Sequence, residues 1–491
     1  MSSNTTRPRD AASFQIFADS MMQDDSLPLS DVIGDGVFDE AFDKFDVDFG
    51  SDDDAVYTPA IVLWALVSQA LFTQAQRSLT AAVTRIAVWW ACQGRVVSDT
   101  STGAYSRARH KLPVDMVAWL TRAIASRCES SEDLIDPLET EAAEQQLTPD
   151  VIAEVRKQSI QGRVILIDGF TVDAADTPEN QQEYPQNPAQ KPGIGFPMLR
   201  CLSLISLATG MLIDLAQGPY AGKGTGETAL LRELFSNLRR GDILVADSYH
   251  CTYWLIAYCQ LNGIHLVMKN HHKRDDCPAN AKRLAKGQRK VIWGRPPRPD
   301  WMTQQEYALM PKEVEVRLVD VKVDRVGFRT DGFTIATTFL DHKACSCKWL
   351  ASVYQSRWLV ELDIRSIKCS LAMEHLRAKS PEMVRRELWS CLLAYNLIRM
   401  KMLQSGAGTQ RDIRSMSFSR ALVLLGTNWL LCGARGLNQS LIELGQNQPV
   451  GEVVGHRPDR VEPRVNKRRP KVLKLMSKPR NQYQRQLAAT A

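Results

Sequence analysis

The sequence predicts an α/β protein, a mixed sheet set between two helical regions. Three observations predict it. Between residues 161 and 269, short apolar runs alternate with helical stretches. On either side, from about 59 to 130 and from about 348 to 444, apolar residues recur at three- and four-residue spacing. The composition, 44% hydrophobic and 24% charged over 491 residues, is that of a globular chain long enough for several domains.

Residues 1–56 are acidic, with Asp24-Asp25 and Asp52-Asp53-Asp54 and few cations, a poor surface for phosphate. Thr58 and Pro59 suit the cap and first turn of a helix. Runs at 61–73, 79–92 and 116–126, with Gly94 closing the second, make 57–130 a helical domain. Its basic segment 101–111 suits a DNA groove and, equally, the charged outer face of a bundle. Residues 131–160, rich in Glu and Gln without an apolar stripe, read as a linker with a surface helix.

The core opens at 161–269. Val164-Ile165-Leu166-Ile167 has the form of a buried strand ending in Asp168-Gly169, and 198–207 and 211–215 form a hairpin around Ala208-Thr209-Gly210. A helix at 227–238 leads to Ile243-Leu244-Val245-Ala246, which runs into Asp247, followed by a helix at 252–261 and a strand at 264–268. Alternating runs at 314–319, 321–323 and 333–337 make 270–347 a β-rich insertion. Helices resume over 348–404 and 405–455, with breaks near Gly406 and Gly426. The tail 456–491 carries Lys467-Arg468-Arg469 and several more cations among prolines, an extended polycation suited to a nucleic acid backbone or a solvated tail.

The 11 cysteines include no Cys-x-x-Cys pair, so a reducing compartment is expected, as is the absence of a secretory signal. The longest apolar run, 60–72, falls short of the ~20 residues of a membrane span. Residues 218–225 resemble a phosphate loop, but Gly224 follows Lys223 where Ser or Thr should hold Mg²⁺. His271, His272 and Cys277, or Cys345 and Cys347, lack a second ligand pair at zinc-finger spacing.

An acid ending a strand is commonly a turn former or helix cap. The stretch 354–368 adds a stronger signal. On one helix Tyr354, Arg357, Glu361 and Lys368 fall within roughly 60° of one another. Arg357 and Glu361 read as an exposed i,i+4 pair or as part of a cleft in which a carboxylate holds a cation and Arg, Lys and Tyr hold phosphate oxygens.

The spacing Tyr-(2)-Arg-(3)-Glu-(6)-Lys, preceded by Asp168-Gly169 and Asp247, resembles the insertion-sequence-four family of bacterial DDE transposases. The resemblance runs from about 25 to 480 and includes Asp176-Thr177-Pro178-Glu179-Asn180, Gly193-Ile194-Gly195-Phe196-Pro197, Gly222-Lys223-Gly224-Thr225-Gly226-Glu227 and Lys467-Arg468-Arg469-Pro470-Lys471. It implies an RNase H-like catalytic core split by the β-rich insertion. Asp168, Asp247 and Glu361 would be the catalytic metal-binding acids, and Tyr354, Arg357 and Lys368 the DNA contacts. Relatives that cut through a hairpin hold a flipped base on an aromatic ring. Trp293 is the candidate, Trp301 is nearly as good, and core packing is the more ordinary role of either. Lys269, with Lys273 and Arg274, follows the strand after Asp247 and would guide DNA or lie in an exposed loop.

The resemblance implies a cytoplasmic, nucleoid-associated enzyme that excises and inserts DNA with Mg²⁺ or Mn²⁺, two ions per site ~4 Å apart. Its partners would be transposon ends and target DNA, held by a homodimer, with no membrane. A transposase-derived DNA-binding protein without catalysis is the alternative, which the presence of all three acids disfavours. A purely hydrolytic nuclease is disfavoured by Arg357, Lys368 and the large DNA-binding regions.

Overall fold

A computed structural model describes residues 16–23, 27, 29, 32, 35–49, 55–92, 97, 99–130, 162–322, 332–407, 413–435 and 475–490. The expected linker 131–160 and most of the basic tail, 456–474, lie outside the described residues.

Nine strands form one sheet: β1 (Val164–Asp173), β2 (Met198–Ser206), β3 (Leu212–Pro219), β4 (Ile243–Ala246), β5 (His265–Lys269), β6 (Lys282–Ala285), β7 (Gln288–Gly294), β8 (Glu313–Lys322) and β9 (Gly332–Thr337), in the order β3-β2-β1-β4-β5-β9-β8-β7-β6. The first three are antiparallel, whereas β4 runs parallel to β1 and β5 to β4. The hairpin between β2 and β3 turns at Gly210, whose φ of +69° favours glycine. The β-rich insertion does not stand apart: β9 pairs antiparallel with β5 and carries the sheet onward. Strand β1 runs beyond the expected end at Asp168-Gly169, because pairing with β2 continues to Asp173 opposite Met198.

The sheet divides the core in two. Leu166, Phe170 and Val172 of β1 join the larger cluster and Ile165 and Ile167 the smaller, as strand alternation requires. Helices α1 (Asp35–Lys44), α2 (Pro59–Leu71), α3 (Leu79–Cys92), α4 (Thr102–His110) and α5 (Val114–Glu129) form the N-terminal region. Thr58 caps α2 as expected, its hydroxyl accepting from Ile61 N at 3.3 Å. The expected N-terminal helical domain shares the larger cluster with one face of the sheet.

In chain order there follow α6 (Pro178–Glu183), α7 (Glu227–Glu233), α8 (Tyr253–Asn262), α9 (Gln304–Leu309), α10 (Cys347–Gln355), α11 (Trp358–Arg365) and α12 (Pro381–Ala407). Helix α12 is buried along almost all of its 27 residues, so its polar side chains must find partners inside. Asn396 exchanges hydrogen bonds with the backbone of Leu212 and donates to Thr121 O, and Arg386 donates to Leu112 O.

Three expectations are corrected here. Helix α13 (Phe418–Arg435) passes through Gly426 unbroken, with the Phe72 ring 3.5 Å from where a Cβ would stand. The tail becomes helical after its last proline, in α14 (Arg480–Thr490). The single helix expected over 354–368 is three pieces, α10, α11 and a π-helical turn at Ser366–Ser370. The Ser356 hydroxyl donates back to Ser352 O at the first break, a bond that bends helices.

Candidate active site

The register between β1 and β4 pairs Val164 with Ile243, Ile165 with Leu244 and Leu166 with Val245. The same offset carries Asp168 level with Asp247, just past the end of β4. There the Asp247 Oδ1 accepts from Tyr249 N at 2.9 Å and opens a short 3₁₀ turn. Asp168 follows the parity of Leu166 and Phe170, so it faces the larger cluster, where α11 lies. Gly169 N donates to the Asp168 carboxylate at 2.9 Å.

From α11, Glu361 approaches through Arg357. The Arg357 guanidinium donates from Nη2 to Glu361 Oε1 at 2.8 Å, and its Nη1 lies 3.6 Å from Asp168 Oδ2. The phenol of Tyr354 sits beside Arg357, and the Tyr354 ring packs on Phe333 with centroids 5.1 Å apart. Burial pushes the Asp168 carboxyl up to about 6; the Arg357 guanidinium and the Gly169 amide pull it down, and the charges of Asp247 and Glu361 raise it further. Three acids therefore share one electrostatic neighbourhood, with a guanidinium between two of them. Among the described residues, no three His, Cys, Asp or Glu side chains are gathered closely enough to hold a metal ion.

The other expected residues fall at varying distances. Lys368, on the π-helical turn, is displaced from the stripe: its Nζ lies 3.9 Å from Glu374 Oε1, and its charge acts on Asp173 at the far end of β1. Lys269 is exposed at the end of β5, whose register with β4 sets it level with Asp247. Trp293, the candidate for holding a flipped base, packs in the smaller cluster and borders a pocket it lines with Lys273 and Arg274. It is 8% exposed within the smaller cluster, with the Arg274 guanidinium 3.9 Å from its ring centroid. Trp301 faces outward, and Arg232 stacks on it at 4.0 Å.

Two residues at the site carry no chemical signal in the sequence. Glu227, first in α7, reaches Gly169 from the other side of the sheet. Asp363, two residues after Glu361, is buried between Arg399 and Arg414 and anchors α11 from behind. Glu227 closes a glycine-rich motif, the one available hint. Nothing in its own spacing distinguishes Asp363 from a surface acid.

Residues 160–397 match the family described as the transposase DDE domain. The chain is 24% identical over 335 residues to the transposase InsG for insertion sequence element IS4 of Escherichia coli (strain K12), a match covering 62% of this chain and 73% of that protein. Among solved structures, a chain in the cryo-EM structure of the piggyBac transposase synaptic complex with hairpin DNA aligns over 91% of this chain and 87% of its own length, at 11% identity and a TM-score of 0.37. The matched domain, just under half of the chain, spans Asp168, Asp247 and Glu361, and together with the similarity to InsG it supports a DNA transposase of the DDE type, related to the insertion-sequence-four family.

Proposed function

We propose that this transposase cuts DNA at transposon ends and joins the freed 3′-hydroxyl to target DNA, with Asp168, Asp247 and Glu361 as the metal-binding acids. The observation that carries the reading is the β1–β4 register, which sets Asp168 level with Asp247 while Arg357 links Asp168 to Glu361. All three are hard oxygen donors, the chemistry preferred by Mg²⁺ and Mn²⁺. Burial, and then the charges of Asp247 and Glu361, raise the Asp168 carboxyl, and a cation beside it would favour its ionised form. Two such ions would activate water or a 3′-hydroxyl and stabilise the leaving oxygen.

The remaining residues bind and orient. Arg357, beside two acids and Tyr354, would hold a non-bridging phosphate oxygen once the acids turn to the cation, and Tyr354 would donate to a second. Lys368 and the exposed Lys269 flank the acids and would hold the DNA backbone on either side. Strand order β3-β2-β1-β4-β5, with three antiparallel strands followed by two parallel ones, supports an RNase H-like core at 161–269 and 348–404, with 270–347 inserted. The helices of 57–130 and the tail 456–491 would add DNA contacts. Joining two ends needs two active sites, hence a homodimer acting on the nucleoid in the cytoplasm. Among the described residues no helix is long and apolar enough to cross a membrane.

One observation favours the non-catalytic alternative: Glu361 is committed to Arg357, Oε1 to Nη2 at 2.8 Å. Incubation with labelled DNA spanning the flanks of its own gene, in Mg²⁺ or Mn²⁺, decides between them on a denaturing gel. A discrete terminal cut followed by joined products, both lost in EDTA and in Asp168→Asn, is expected. Retention of those ends without cutting establishes the binding-only reading, and cleavage that survives Asp168→Asn overturns the assignment of the acids.

A further inference from the structure

A cavity of about 470 Å³ is lined by α3, by Trp64 of α2 and by Trp429 and Leu430 of α13, and none of the residues proposed for cleavage borders it. The roughly 300–1,000 Å³ of small-molecule sites includes this size. Much of the wall is apolar. Trp64 and Trp429 stack with ring centroids 5.9 Å apart and planes 12° from parallel, and Trp89, Val88 and Leu430 extend the surface.

One wall carries a charge without a counter-ion. Arg85 is 7% exposed, and its Nε and Nη1 donate to neutral acceptors, the Ser68 hydroxyl at 3.0 Å and Gln76 O at 2.9 Å. Among the described residues, no carboxylate pairs with Arg85 and no acid lines the cavity. The Arg85 Nη2 and the indole nitrogen of Trp429, a residue 1% exposed, have no hydrogen-bond partner and are shut off from solvent. Both donors have lost water without gaining an acceptor, which calls for a ligand, an ion or a water at that place. Burial pushes the Arg85 guanidinium down to about 10, which leaves it charged at neutral pH. A water would satisfy a donor and leave that charge uncompensated.

We propose that this cavity is a binding site for a small organic anion, a carboxylate on a flat apolar body, with the carboxylate accepting from Arg85 and Trp429 and the body lying against the tryptophan rings. The unpaired guanidinium selects an anion, and two donors match the two oxygens of a carboxylate. The ring-lined wall selects an apolar body, which inorganic phosphate lacks. The site stands apart from the acids proposed for cleavage, and its occupancy does not depend on their assignment.

The test is calorimetric titration of the full chain with indole-3-acetate, with uncharged indole and with inorganic phosphate, for the wild type, Arg85→Met and Ala81→Phe, with melting of each to show that it is folded. In the wild type, indole-3-acetate is expected to bind once per chain, half-saturating at a concentration at least about tenfold below that of indole or phosphate, the scale of one charge-assisted hydrogen bond. Arg85→Met is expected to erase the preference for indole-3-acetate over indole, a change that a merely structural Arg85 would not produce. Ala81→Phe fills the cavity from its wall and is expected to abolish binding of both, which keeps the test decisive if Arg85→Met does not fold. The proposal is overturned if indole-3-acetate shows no saturable binding to the wild type, or if indole or phosphate binds as tightly. It is overturned equally if the preference survives in folded Arg85→Met or if binding is unchanged in folded Ala81→Phe.

Discussion

Replacing Asp168 by Asn is expected to stabilise the metal-free protein while abolishing cleavage, and the size of the gain follows from the site. The Asp168 carboxyl is raised from 3.8 to about 6 by burial and by its acidic neighbours, a net effect that already contains the attraction of Arg357. At about 1.4 kcal/mol per pH unit, ionising this group in the fold costs about 3 kcal/mol relative to the unfolded chain. The side chain is 25% exposed, so solvent screening makes this an upper value. The sign is fixed by the direction: the folded protein binds the proton more tightly, so the penalty is absent below about pH 4, grows as the pH rises through about 6, and is complete above it. Asn carries no such penalty. Urea unfolding in EDTA should therefore show a gain of about 1–3 kcal/mol at pH 7.5 and roughly half that at pH 5. A variant less stable than wild type at pH 7.5, or a gain equal at both pH values, would refute the claim that burial and acidic neighbours penalise the ionised Asp168.

Three further outcomes follow from named contacts. Arg357→Gln removes the cation that competes for both acids, so half-saturating Mn²⁺ in calorimetry should fall by about tenfold, for about 1.4 kcal/mol, while DNA cleavage falls; unchanged metal affinity would show that the guanidinium does not compete. Lys401 is fully buried on α12, with its Nζ donating to Met22 O at 3.0 Å, and burial pushes it down to about 7. The unfolded chain then binds the proton more tightly, so stability should rise with pH between about 7 and 10. Lys401→Met should add about 2–4 kcal/mol at pH 7 after the cost of the unpaired Met22 carbonyl, and should flatten that rise in urea melts at pH 7 and 9.5. Asp363→Ala leaves two buried guanidiniums without their shared carboxylate and should lower unfolding free energy by about 3–5 kcal/mol; a loss under about 1 kcal/mol would mean that the anchor is dispensable.

Local pattern carried much of this architecture, and contact chemistry carried the rest. The strand ending at Ala246, the hairpin at Gly210 and the cap at Thr58 each follow from residues within a few positions, so periodicity and turn chemistry located them. The candidate carboxylates were named from acids that end apolar runs and from one polar helical stripe, both visible in one dimension. What escaped was set by pairing across the chain. The extension of β1 to Asp173 depends on β2, and the merging of the insertion into the main sheet depends on β5 meeting β9. Trp293 could be a base platform or a core residue by its type alone, and its place in the smaller cluster depends on contacts that the sequence does not display. Glu227 reads in the sequence only as the end of a glycine-rich motif, because its contact with Gly169 joins positions 58 residues apart.

Helix α11 shows how such long-range contacts serve the chemistry. Glu361 and Asp363 lie on different faces of one short helix, and their fates are opposite. Glu361 keeps 36% exposure and a single guanidinium, while Asp363 is buried at 1% between Arg399 of α12 and Arg414. Arg414 also donates to the carbonyls of Ser206 and Leu207, at the end of β2, the strand that pairs with Asp168. The helix carrying the third acid is therefore tied, through one buried carboxylate, to the sheet carrying the first. A buried ion pair adds little net stability over an apolar replacement, but losing one partner is costly, so the network resists displacement more than it strengthens the fold. On the proposed assignment, that property suits Glu361, whose distance to Asp168 would be kept while its side chain exchanged Arg357 for a cation. The helix is held from behind by the paired Asp363, while Glu361 in front is partly exposed and bound to Arg357.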